Sequence, residues 1–121
     1  MKPLVIPFDA IKGDNNRLIP APRGRGLIAA PDYRKAKEAV RLRISAHRPR
    51  LKLHDGYVAL TCTFFWPNRI KRDVSNYSKF LCDALTGIAY IDDVQIVDAR
   101  YRFGGFDKTN PRVEIVIEEA A

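Results

Sequence analysis

The sequence predicts an α+β fold: a single domain over residues 1–121, with a mixed or antiparallel sheet packed by two main helices. Three observations carry that expectation. Gly56 opens a run of β-branched and aromatic residues, Tyr57-Val58-Ala59-Leu60-Thr61-Cys62-Thr63-Phe64-Phe65-Trp66, which is the composition of a strand. Residues 32–48 and 75–85 space their apolar side chains as helices do. Residues 112–118 alternate, with Val113, Ile115 and Ile117 on one face. A chain of 121 residues is long enough for one modest core and too short for two independent ones.

In chain order, residues 3–8 read as a short first strand. A loop rich in Gly, Pro, Asn and Arg follows to about Pro31, and those residues punctuate turns. Leu18-Ile19 and Leu27-Ile28-Ala29 read as two short strands of a ribbon carried on it. Across 32–48 the stripe is Tyr33, Ala36, Val40, Ile44 and His47, and Arg34, Lys35, Lys37, Arg41, Arg43 and Arg48 lie largely off it. His47 is expected to pack, partly buried. Pro31 and Pro49 bound the helix. Pro67-Asn68 ends the strong strand, and the helix at 75–85 turns Tyr77, Leu81, Ala84 and Leu85 inward. Residues 94–103 alternate Val97, Ala99, Tyr101 and Phe103 against Asp98, Arg100 and Arg102, and Gly104-Gly105 reads as a turn.

Composition narrows the function. Hydrophobic residues make 46% and charged residues 29% of the chain, an ordinary globular balance rather than a disordered one. No apolar run approaches the roughly 20 residues of a bilayer span, so no membrane partner is expected. The opening Met1-Lys2-Pro3-Leu4-Val5-Ile6-Pro7 is too short and too soon polar for a secretory signal. Cys62 and Cys82 form no CxxC pair and read as reduced core thiols in a cytoplasmic protein. The formal charge is +7, and it is unevenly placed. Residues 1–72 hold 16 Lys or Arg against 5 acids, a net of +11; residues 73–121 hold 5 against 9, a net of −4. A basic half attracts polyanions, of which phosphate backbones are the commonest.

The acidic half holds the residues suited to chemistry. Asp73 sits where a loop enters a helix, a place for a cap or for an outward carboxylate. Asn76, Lys79 and Asp83 share one helix face, and Asp92-Asp93 precedes a strand. Phosphodiester hydrolysis needs an activated water and a sink for negative charge. A few carboxylates holding Mg²⁺, with a lysine on the phosphate, supply both. Each residue also has a plainer reading: Asp73 as a helix cap, Asp92-Asp93 as a solvated turn, Lys79 and Asp83 as a surface ion pair.

The block Arg72-Asp73-Val74-Ser75-Asn76, Lys79, Asp83-Ala84-Leu85-Thr86 and Asp92-Asp93-Val94-Gln95-Ile96-Val97 resembles the signature of the RusA family of Holliday-junction resolvases. That pattern starts R-D-x-D-N, carries a lysine three residues on, and ends D-A-L and D-D-x-Q-V/I-V. Asn15-Asn16-Arg17 resembles the segment after the family's first strand. The resemblance implies a RusA-like fold and a homodimer that nicks four-way DNA junctions symmetrically with Mg²⁺, in recombination and repair. It implies Asp73, Lys79 and Asp93 as catalytic, and Asp73, Ser75, Asp92 and Asp93 around the metal. Asn16, Arg17, Arg23, Arg25, Arg69, Lys71, Arg72 and Asn76 are the expected DNA contacts. Ser75 departs from the pattern, standing where the family has its second aspartate. A hydroxyl is a neutral and weaker Mg²⁺ ligand, so three readings stand open: Asp92 or Asp83 supplies the charge, a water bridges Ser75 to the metal, or the chain binds junctions and cuts them poorly. A generic nucleic-acid module is disfavoured because the aromatics fall on faces assigned to the core. For the dimer surface, Phe80 and the Phe64-Phe65-Trp66 strand are the candidates.

Overall fold

A computed structural model describes residues 1–120, the side chain of Asn16 excepted. Its elements are β1 (Leu4–Pro7), β2 (Leu18–Pro20), β3 (Leu27–Ala29), α1 (Pro31–His47), β4 (Val58–Trp66), α2 (Ser78–Leu85), β5 (Ile96–Phe106) and β6 (Arg112–Glu119), joined by short 3-10 turns. The main sheet runs β1-β6-β4-β5, and β2 and β3 form a separate antiparallel ribbon. The sheet is mixed: β4 pairs antiparallel with β6 and parallel with β5. A parallel pair needs a crossover connection, and α2 lies on it.

β4 shows why the sheet lies where it does. Val58, Leu60, Cys62, Phe64 and Trp66 are buried and alternate with half-buried neighbours, the period of a pleated strand with one covered face. Leu4 and Ile6 of β1, and Val113, Ile115 and Ile117 of β6, extend the same face. α1 covers it with Tyr33, Val40 and Ile44, and α2 with Phe80, Leu81, Ala84 and Leu85. Each Leu or Phe so buried contributes about 1.5–3 kcal/mol. Tyr33 packs edge-on to Phe80 at 5.3 Å between centroids, which locks the two helices together.

Four expectations need correcting. The signature helix begins at Ser78, because Val74–Tyr77 forms a 3-10 turn first. β5 does not end before Gly104-Gly105 but runs through them to Phe106. A Cβ at Gly104 would stand 2.6 Å from Thr63 Cγ2 and 2.8 Å from Phe65 Cζ, and Gly105 has φ +132°. The glycine pair therefore serves a close approach and a bulge against β4 rather than a turn. His47 is exposed at the last turn of α1, its Nδ1 2.9 Å from the Arg43 carbonyl oxygen. β5 is an edge strand, so Val97 and Phe103 are exposed and only Tyr101 is half-buried on the expected inward face. Among the described residues no helix is long and apolar enough to cross a membrane.

Candidate active site

The sequence-predicted residues fall into two groups on either side of α2. The first forms where β4 ends and the chain turns back. Asp73 takes an extended conformation and caps the 3-10 turn Val74–Tyr77. Its Oδ1 accepts from the Ser75 N–H at 3.0 Å and from the Ser75 hydroxyl at 2.8 Å. That hydroxyl, followed by the amide, holds the Asp73 carboxyl below the usual carboxylate range. Ser75 spends its only O–H on Asp73.

Asn76, expected on DNA, is half-buried and reaches the N-terminal loop. Its Oδ1 accepts from the Asn15 N–H at 3.1 Å, and a Cβ on Gly13 would lie 2.4 Å from its Nδ2. A side chain at Gly13 would therefore displace the Asn76 amide. Beside it stands Asp14, a loop residue without a local motif of its own. Asp14 Oδ2 accepts from the Lys79 N–H at 2.8 Å, and Oδ1 from the Phe80 N–H at 2.9 Å and the Tyr33 hydroxyl at 3.0 Å. It caps the first turn of α2 from 64 residues away in sequence, which is the bond N-cap residues make locally. Burial first, then the bond to Asp14, pushes the Tyr33 hydroxyl pKa well up. Asp14, Asn15, Lys71, Arg72, Asp73, Ser75, Asn76 and Tyr77 line one open cleft of about 440 Å³.

The second group gathers where α2 hands over to β5. Asp92 caps the 3-10 turn Asp93–Gln95 through the Val94 N–H at 3.1 Å. Gln95 Oε1 answers by accepting from the Ile91 and Asp92 N–H groups, both at 2.8 Å, completing a capping box. Gln95 Nε2 donates to the carbonyls of His54 and Gly56 at 2.9 and 2.7 Å. It is the buried polar residue of the core region and fixes this turn to the start of β4. Its D-x-x-Q spacing was in the sequence, though the role was not drawn from it. Asp93 hydrogen-bonds to Asp92, and that bond, with burial and repulsion, raises the Asp93 carboxyl. The Val94 amide and the same bond lower Asp92. The two neighbouring carboxyls are therefore pushed in opposite directions. The charges of Asp83 and Lys79 also reach Asp93, from the face of α2.

Lys79 stands between the groups. Its ammonium is 3.3 Å from Asp83, which Lys37 also approaches at 3.6 Å. Asp83, Asp92, Asp93, Lys37 and Arg41 share a second cleft of about 520 Å³. Arg41 donates to the carbonyls of Asp83, Ala84 and Thr86, closing the far end of α2.

Of the other expected DNA contacts, Arg23 and Arg25 are exposed on the β2–β3 ribbon, and Arg23 is held at φ 59° beside its turn. Arg17 is half-buried at the ribbon's base, where its carbonyl accepts from the Ala30 N–H at 2.9 Å. The Asn16 side chain lies outside the described residues. Arg69 lies 4.5 Å over the Phe106 ring, and Arg72 lies 5.0 Å over Phe8 and 5.5 Å over Trp66. Both guanidinium groups are held by aromatic faces. The expected dimer residues do not serve: Phe64 and Phe80 are fully buried, Trp66 is 4% exposed, and Phe65 lies beneath the Arg112 guanidinium at 4.0 Å.

The structure does not gather Asp73 with Asp92 and Asp93 around one point. Among the described residues no three Asp, Glu, His or Cys side chains converge on a common position. The parallel pairing is the reason, since it sets the start of β5 beside the start of β4 while Asp73 follows the other end of β4. The donors still suit a hard divalent cation. All are oxygens, Mg²⁺ is commonly held by one or two carboxylates with water, and Asp92 and Asp93 stand side by side on one open cleft.

A family model described as endodeoxyribonuclease RusA matches residues 11–118. The chain belongs to the RusA family, a family of junction-resolving endonucleases, and its α+β architecture agrees with that membership. A search of curated proteins finds no match.

Proposed function

We propose that this protein is a structure-selective endonuclease that binds four-way DNA junctions and nicks two opposed strands as a homodimer. The observation that carries the reading is the adjacent Asp92 and Asp93 carboxyls, which share one cleft with Asp83 and lie within range of the Lys79 charge, in a chain of this family. Two equivalent nicks call for two sites related by a two-fold axis, which a symmetric dimer supplies. Arg23 and Arg25 of the ribbon, with Arg69, Lys71 and Arg72, grip phosphates and position the DNA without reading its sequence.

In this reading Asp92 and Asp93 would hold Mg²⁺ with water, and Asp73 stands apart in the other cleft. When bound, the ion lowers the pKa of a water and offsets charge on the phosphate. Lys79 holds the scissile phosphate and steadies the charge that develops on it. Water attacks phosphorus, the P–O3′ bond breaks, and 5′-phosphate and 3′-hydroxyl ends result. Asp14 and Asn76 act one step back, fixing the first turn of α2 and so the direction from which Lys79 projects.

One observation favours a second reading, a junction binder that cuts slowly. The Ser75 hydroxyl neutralises nothing and engages Asp73 at 2.8 Å, where the family pattern has a carboxylate. Cleavage of a mobile synthetic four-way junction, with and without Mg²⁺, separates the two. Paired Mg²⁺-dependent nicks that vanish in Asp93→Asn support the endonuclease. Tight junction binding without nicks, recovered by Ser75→Asp, supports the binder. Equal affinity for junction and linear duplex defeats both.

A further inference from the structure

The outer edge of β5 is eleven residues long and pairs with nothing among the described residues, because β5 ends the sheet order. Edges of that length are normally kept short, covered or charged, since their free N–H and C=O groups recruit other strands. This one carries large apolar groups in the open: Val97 is 56% exposed, Phe103 53% and Phe106 45%. Between them, on the opposite face, stand Asp98, Arg100 and Arg102, and Asp98 lies 3.5 Å from Arg100. Charges on an edge can serve simply to keep strands apart. Their order here does something else.

We propose that the β5 edge is the surface on which a second copy of this chain docks, antiparallel, about a two-fold axis through Arg100. The inference rests on the homodimer reading and specifies its interface. An axis perpendicular to the sheet pairs each residue with the one whose number completes a fixed sum. Centred on residue 100, Val97 faces Phe103 of the second copy, Ala99 faces Tyr101, and Asp98 faces Arg102. Each pair occurs twice. Both exposed apolar residues are thereby covered, and each Asp98 gains an opposite charge directly across the strands. The two Arg100 side chains meet at the axis, where each already has its own Asp98 at 3.5 Å. A register centred on Ala99 would avoid that meeting. It would also set Phe103 against Gln95, which is buried and fully bonded within its own chain, and leave Phe103 uncovered. A perpendicular axis also keeps the helix-covered faces of both sheets, and with them both copies of α2, on one side.

The test is a charge exchange read by analytical ultracentrifugation of the full chain. Asp98→Arg and Arg102→Asp each turn two attractions into two repulsions, so each single variant should weaken the dimer by about tenfold or more. The Asp98→Arg/Arg102→Asp double variant should restore it to near wild type. Disulfide trapping guards against a variant that misfolds: Val97→Cys and Phe103→Cys proteins, each alone, should stay uncrosslinked and should form a disulfide on mixing. A wild-type dimer unmoved by either charge variant, and without the mixed disulfide, overturns this interface while leaving the homodimer reading intact. A wild-type chain that sediments as a monomer at tens of micromolar overturns both.

Discussion

Asp73 and Asp92 occupy the same local structure and have opposite surroundings. Each is extended, each caps a 3-10 turn, and each accepts the N–H two residues on, at 3.0 and 3.1 Å. What differs is the acidic group's companion. Ser75 gives Asp73 a hydroxyl to accept, which leaves a lone anion with a depressed pKa. Asp93 gives Asp92 a second carboxyl, which lowers Asp92 and is itself raised. Backbone geometry alone thus does not decide where positive charge is wanted. The identity of one neighbouring side chain does.

The strongest break in this comparison is Asp93→Asn. If the Asp92–Asp93 pair is the catalytic one, junction cleavage should fall about 100-fold or more, since the lost charge is worth several kcal/mol in the transition state. Junction affinity in gel-shift titration should change little. An unaltered cleavage rate would move the chemistry to the Asp73 side of α2.

The next largest effect is on Asp14, the carboxylate that serves structure in the first group. Asp14→Ala leaves the Lys79 and Phe80 amides and the Tyr33 hydroxyl without their acceptor, and should cost about 1–3 kcal/mol. Chemical denaturation measures it. Asp14→Asn keeps one acceptor oxygen and should recover part of the loss. Equal stability of all three proteins would show that water replaces the cap.

Ser75→Asp makes the first group resemble the second. The hydroxyl donor is lost and a like charge gained, so the Asp73 carboxyl should titrate higher by roughly one pH unit or more in carboxyl NMR. An Asp73 pKa that stays depressed would mean that the backbone amide, rather than the hydroxyl, sets it.

How far the sequence could be read follows from the range of the forces involved. β4, β6 and α1 were legible because each buries one face at a fixed period, and Val58 to Trp66 and Tyr33 to Ile44 carry that period openly. The β2–β3 ribbon was legible from its apolar pairs. Gly104-Gly105 misled because a glycine pair marks both a turn and a close backbone approach, and only Thr63 and Phe65 of the neighbouring strand distinguish them. The signature containing Asp73, Lys79, Asp92 and Asp93 was enough to indicate the family. It did not reveal that parallel β4–β5 pairing separates the first from the last two, nor that Asp14 caps a helix 64 residues on. Both are tertiary facts without local pattern.

The smallest expected effect tests the sign of these electrostatics on stability. Asp107 is a control outside both groups. The Asn110 N–H, then the Arg112 guanidinium at 2.8 Å and the Thr109 hydroxyl, hold its carboxyl below the ordinary value. A depressed carboxyl contributes stability that is present above the unfolded pKa, near 4, and lost as pH falls through the folded value. Asp93 is raised, so its contribution runs the other way: it favours the fold at low pH and is lost as pH rises from about 4 through the folded value. Denaturation midpoints measured from pH 3 to 8 should therefore show Asp107→Asn less stable than wild type at neutral pH and converging with it in acid. Asp93→Asn should be equal or more stable at neutral pH, because it removes a repelled charge. A destabilised Asp93→Asn at pH 7 would mean that the ionised Asp93 carboxylate stabilises the turn.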